Sequence, residues 1–138
     1  MTAFGDTPGF AQIMAEDYEA ASAKLEAPFY DTDRYARFAN RCVSELLSHE
    51  VDAAMQSCQR ALSVAPADLM TSLTPSFHKR AEVLTHLYSN RGVVRAVSGD
   101  VFGAREDFER ALELDEANDN ARSNLELIAA GDVAQQAN

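Results

Sequence analysis

Thirteen residues near the middle of this chain come back fifty residues later. AMQSCQRALSVAP, residues 54–66, returns as AREDFERALELDE, residues 104–116. Ala54 pairs with Ala104, Cys58 with Phe108, Arg60 with Arg110, Ala61-Leu62 with Ala111-Leu112, and Val64 with Leu114. The preceding stretch keeps the offset: Phe38 pairs with Tyr88, Asn40-Arg41 with Asn90-Arg91, and Val43 with Val93. Similarity at a fixed offset marks one supersecondary unit used twice. Such a unit cannot bury its apolar face alone and must stack on its copy.

The apolar period is helical almost throughout, so the fold class is all-α, with about six helices. A first helix is expected over 9–26, with Thr7 as cap and Pro8 beside the first turn. Phe10, Ile13, Met14, Tyr18, Ala21 and Leu25 give it one apolar stripe, and Ala27-Pro28 ends it. Asp31, Thr32 and Asp33 offer caps for a second helix over 33–48. A third is expected over 51–64, ending before Pro66, with a loop over 67–74. Thr74-Pro75 opens a fourth over 75–98, stopped by Gly99. A fifth spans 101–114 and a sixth 119–130, before Gly131, leaving a frayed tail. Each repeat is thus a helix, a tight turn and a second helix.

Composition bounds the partners. Twenty-two Asp and Glu face twelve Lys and Arg, for a net charge of −10. That surface repels phosphate backbones and anionic lipid, so nucleic acid is not an expected partner. No run of apolar residues approaches the roughly 18 to 20 that a membrane span needs, so no insertion is expected. The first ten residues, MTAFGDTPGF, carry neither the basic nor the apolar region of a signal peptide. His49 falls in an expected turn, and His78 and His86 stand eight apart on one helix with no carboxylate or cysteine arranged to complete a metal site. The sequence has no phosphate loop and no nucleophile elbow. No cofactor, no metal and no catalysis are expected.

The repeated residues resemble the tetratricopeptide repeat, whose pattern is W-x2-L-G-x2-Y…A-x3-F…P over about 34 residues. Tyr88, Gly92, Gly99-Asp100, Ala104, Phe108, Ala111 and Leu112 carry the likeness in the second unit; Phe38, Cys42, Ala54, Ala61 and Pro66 carry it in the first. Arg41 and Arg91 stand where the pattern has Leu, Glu45 and Arg95 where it has Tyr, and Glu116 where it has Pro. The resemblance implies one domain: an N-terminal helix over 9–26, a first repeat over 35–68, an insertion over 69–84, a second repeat over 85–118 and a capping helix over 119–131. Ala54, Ala61, Gly92, Ala104 and Ala111 then sit where paired helices cross most closely, and small side chains let backbones approach. Arg91 and Asp107 fall on facing helices near that crossing and are placed to pair.

The family also implies a function. Its members hold a peptide or helix in a concave groove lined by the first helix of each repeat. Carried over by position, Ala36, Asn40, Val43 and Leu47 form one stripe of that groove, and His86, Asn90, Val93 and Val97 form the matching one. Asn120, Asn124 and Leu127 continue it on the capping helix. Aligned asparagines can donate to and accept from a peptide backbone. The same stripe has two other uses: ordinary core between repeats, or a seat for the N-terminal helix. The lysines of the family's carboxylate clamp are missing, so a C-terminal carboxylate is not the expected ligand. Cys42 and Cys58 occupy the positions of Gly92 and Phe108, which face one another in the family. They are opposed either as a disulfide or as two packed thiols. A disulfide, with a leader removed, implies a periplasmic or exported protein, and thiols a cytoplasmic one. The expected function is a protein-interaction module. The alternative is a self-assembling unit, such as a homodimer, with its groove occluded.

Overall fold

The two repeats fold as two helical hairpins, because each places small residues where its helices cross. The computed structural model describes residues 1–5, 7–26, 34–71 and 77–136. Among these, all regular structure is helical: α1 (Phe10–Met14), α2 (Tyr18–Glu26), α3 (Arg34–Leu47), α4 (Val51–Thr71), α5 (Phe77–Val97), α6 (Val101–Leu114) and α7 (Asp119–Gln136). Helix α3 pairs with α4 and α5 with α6; α4 packs on α5, so the hairpins stack, and α7 closes against α6. Ala54, Ala61, Ala104 and Ala111 are all buried at the crossings. A β-carbon added at Gly92 would lie 2.6 Å from Cε1 of Phe108, so the phenyl ring fills the space that glycine leaves.

At the matching positions of the first hairpin, Cys42 and Cys58 form a disulfide across a Cα–Cα distance of 5.2 Å. The bridge closes a sixteen-residue separation and joins Ala54 and Val94 in one buried cluster. Both inter-helix turns use the same geometry. The amide of Glu50 donates to the carbonyl of Glu45, and that of His49 to Leu46; Asp100 and Gly99 do the same with Arg95 and Ala96. This is the Schellman closure, with its left-handed residue at His49 (φ 64°) and Gly99 (φ 89°).

Three helix boundaries differ from expectation. The expected helix over 9–26 is two helices. Glu16 turns left-handed (φ 58°), and the Asp17 carboxylate accepts from the amide of Ala20 to begin α2. Thr7 does not cap α1 with its side chain; its hydroxyl donates to the carbonyl of Gly5. Met14 falls off the stripe and is exposed, whereas Ile13, Ala21 and Leu25 are buried. Helix α4 does not stop before Pro66 but continues to Thr71. An internal proline costs a helix about 3 kcal/mol. Burial of Ala65 and Leu69 with Val83 and Leu87 of α5 offsets it. Residues 69–71 and 77–84, expected as an insertion, therefore lengthen α4 and α5. Helix α7 runs through Gly131 rather than ending there. Ala27-Pro28, the caps at Asp31 to Asp33, and Thr74-Pro75 lie outside the described residues.

Asn118 ties the last helix down. Its Oδ1 accepts from the amide of Ala121 and caps α7. Its Nδ2 donates to the hydroxyl of Thr85, which donates in turn to the carbonyl of Ala111. One buried chain of hydrogen bonds thus joins α5, α6 and α7.

Candidate functional site

Helices α3 and α5 are the first helices of the two hairpins, and each presents one wholly buried asparagine: Asn40 and Asn90 are both 0% exposed. A carboxamide carries a donor and an acceptor, and burying either unpaired costs about 1–3 kcal/mol. The chain's own first residues satisfy them. Asn90 Oδ1 accepts from the amide of Thr2 at 2.7 Å, and its Nδ2 donates to the carbonyl of Thr2 at 2.7 Å. Asn40 Oδ1 accepts from the amide of Phe4 at 2.6 Å, and its Nδ2 donates to the carbonyl of Phe4 at 3.0 Å. Each asparagine thus grips both polar groups of a single backbone residue.

The register explains why one residue, Ala3, separates the gripped ones. In an extended chain the N–H and C=O of one residue point to the same edge, and that edge returns every second residue, roughly 6.8 Å along. The side chains alternate accordingly. Met1 and Ala3 pack against the cluster of Ile13, Ala21 and Val43, and Met1 also meets the disulfide cluster with Val94. Thr2 lies with its hydroxyl 3.4 Å from His86 Nδ1. Phe4 meets Tyr35 edge-on at 5.7 Å between centroids and His86 at 6.3 Å. Burial lowers the pKa of the Met1 amine, since the charged form loses hydration.

The expected stripe divides under this geometry. Asn40, Asn90 and His86 meet the segment directly. Ala36 is buried in the cluster on which Phe4 rests. Val43 lies beneath α1 and α2, which pack on α3, and Ser44 donates to the carbonyl of Tyr18 to hold α2 there. Val93 packs against Ala104, Phe108, Ala111 and Ala121, inside the second hairpin and its junction with α7. Leu47, Val97 and Leu127 are exposed; Asn120 is exposed and Asn124 half-buried. Thr2 and Phe4 were not legible as site residues. The only signal at that end is a short uncharged run before Gly5.

Each hairpin also carries a polar network. Arg91 donates to both carboxylate oxygens of Asp107, at 2.8 and 2.6 Å. Arg95 reaches the same carboxylate at 3.1 Å. The hydrogen bond to Asp107 raises the Arg91 pKa against the opposing effect of burial. In the first hairpin Arg41 donates to Glu45 at 2.7 Å, and Ser57 donates to the other Glu45 oxygen at 2.6 Å. Among the described residues no cluster of His, Cys, Asp or Glu converges as a metal site, and no helix is long and apolar enough to cross a membrane. No protein-family model, curated protein or solved structure matches the chain.

Proposed function

We propose that this chain is a tetratricopeptide-like protein-interaction module, and that its groove holds an extended segment of a partner polypeptide. One observation carries the reading. Two asparagines fifty residues apart, on the first helices of two hairpins, each bind the N–H and C=O of one residue in a non-helical segment. Recognition through the backbone suits any extended peptide, with side-chain pockets supplying choice. A helical partner suits the site less, because a helix uses its own amides internally. The Cys42–Cys58 bond supports an oxidising compartment. The net charge of −10 argues against nucleic acid.

A peptide library panned against the full chain carrying Phe4→Asp, in which the chain's own first residues no longer compete for the asparagines, tests this. Selected peptides should lose about tenfold or more in affinity on Asn40→Ala or Asn90→Ala, whatever their side chains, because each carboxamide contributes two hydrogen bonds. Binding that ignores both substitutions would refute the groove.

A second reading is self-assembly. Val97, Val101 and Phe102 are exposed around the α5–α6 turn, Phe102 at 73%, and Leu47 is exposed at the matching turn of the first hairpin. Light scattering discriminates: a dimer dissociated by Phe102→Ser favours assembly, and a concentration-independent monomer favours the module.

A further inference from the structure

The groove is occupied, and its occupant describes the partner. Asn40 and Asn90 are buried with their donors and acceptors aimed at one strip of backbone. Residues 1–5 fill it without using any main-chain bond that another extended chain could not make. Selectivity therefore lies in the side-chain walls. The position of Met1 takes a long apolar side chain, between the disulfide cluster and Val43. The position of Ala3 faces Ile13, Ala21 and Val43 and takes a small one. The position of Phe4 takes an aromatic ring against Tyr35 and His86, above the cluster that contains Ala36 and Leu87. The position of Thr2, beside His86, admits a small polar residue. Beyond Phe4 the groove opens towards Lys79, Glu82 and Val83.

We infer that residues 1–5 are a resident copy of the ligand. The partner's segment is extended, with a long apolar residue, a small polar residue, a small residue and an aromatic in succession, and it binds by displacing the resident. This rests on the groove function proposed above. The four backbone hydrogen bonds are equal for resident and newcomer, so they cancel in the exchange. A short tether holds the resident at an effective concentration of order millimolar, which a free peptide of equal intrinsic affinity must match. Weakening the resident removes that competitor without altering the walls.

The experiment uses a C-terminally labelled peptide, Met-Thr-Ala-Phe-Gly-Asp-Thr, and three full-length chains: the wild type, Phe4→Asp, and Phe4→Asp combined with Asn90→Ala. Circular dichroism and an intact disulfide establish folding. Should Phe4→Asp not fold, Phe4→Ala replaces it. The expected result is binding to the Phe4→Asp chain at least about tenfold tighter than to the wild type, lost on adding Asn90→Ala and lost when the peptide's own Phe becomes Asp. Equal affinity for wild type and Phe4→Asp would overturn the displacement while leaving the groove reading intact. Failure of this peptide, with library-selected peptides still bound through Asn90, would overturn the ligand pattern alone. Failure of both peptide sets would overturn the groove as well. A wild-type dimer that exchanges residues 1–5 between copies would replace the foreign partner with a second copy and also overturn the inference.

Discussion

The two hairpins solve the same packing problem with different chemistry. At the closest crossing the second hairpin places glycine against a phenyl ring, and the first places a covalent bond between two cysteines. The polar networks differ in the same way. Arg41 and Arg91 are equivalent, but the acid that answers them comes from α3 in the first hairpin, as Glu45, and from α6 in the second, as Asp107. The position opposite the acid changes with it: Ser57 is the counterpart of Asp107, and Arg95 is the counterpart of Glu45. What the repeat conserves between its two copies is the backbone crossing and a satisfied guanidinium, and the side chains that achieve this are exchangeable as sets.

That comparison can be broken. The largest effect is expected at Asp107. Asp107→Asn leaves Arg91 without its counter-charge and Arg95 with only Asp100, 3.6 Å away, in a mostly buried site, and should cost roughly 3 kcal/mol in urea unfolding. Glu45→Gln should cost only about 1 kcal/mol, since Arg41 is more exposed and keeps Glu26 3.7 Å away. Equal costs would contradict the difference in charge burial drawn between the two networks.

Next comes the bridge. Cys42→Ala with Cys58→Ala should cost about 3 kcal/mol, the chain-entropy value for a loop near sixteen residues. Replacing the pair by Cys42→Gly and Cys58→Phe imports the second hairpin's solution and should recover more than half of that loss. No recovery would mean that the crossings differ in spacing and not only in side chain.

Sequence made the hairpins legible because close crossings tolerate few residue types. Ala54, Ala61, Ala104 and Ala111 could be placed before any coordinates, and so could the Arg91–Asp107 pair. The cysteines were legible only as opposed residues, since a thiol and a half-cystine occupy the same place in a pattern. Other features were hidden for stated reasons. The break at Glu16 is a contest between helix propensity and the Asp17 cap, terms of about 1 kcal/mol or less each. Passage of α4 through Pro66 depends on burial of Ala65 and Leu69 against α5, which no local rule sees. The docking of Thr2 and Phe4 depends on asparagines 88 and 36 residues away, and five residues carry too little periodicity to announce it.

Two smaller effects sharpen the comparison. Ser89 is buried on α5, and its hydroxyl has no hydrogen-bond partner among the described residues; Ala39 holds the matching place on α3. Ser89→Ala should stabilise the fold by about 1 kcal/mol, read as a higher midpoint at unchanged m-value. His49 holds left-handed backbone where the second hairpin has Gly99. His49→Gly should stabilise by about 0.5 kcal/mol, the relief of the β-carbon clash less the added freedom of the unfolded chain.

Amide hydrogen exchange at Thr2 and Phe4, followed by NMR, bears most directly on the asparagine grip. With the carboxamides of Asn90 and Asn40 holding these two residues, both amides should exchange far more slowly than those of an unstructured terminus. Asn40→Ala should release Phe4 and Asn90→Ala should release Thr2. Exchange of both at the rate of a free peptide in the wild-type protein would contradict the grip, and with it the groove.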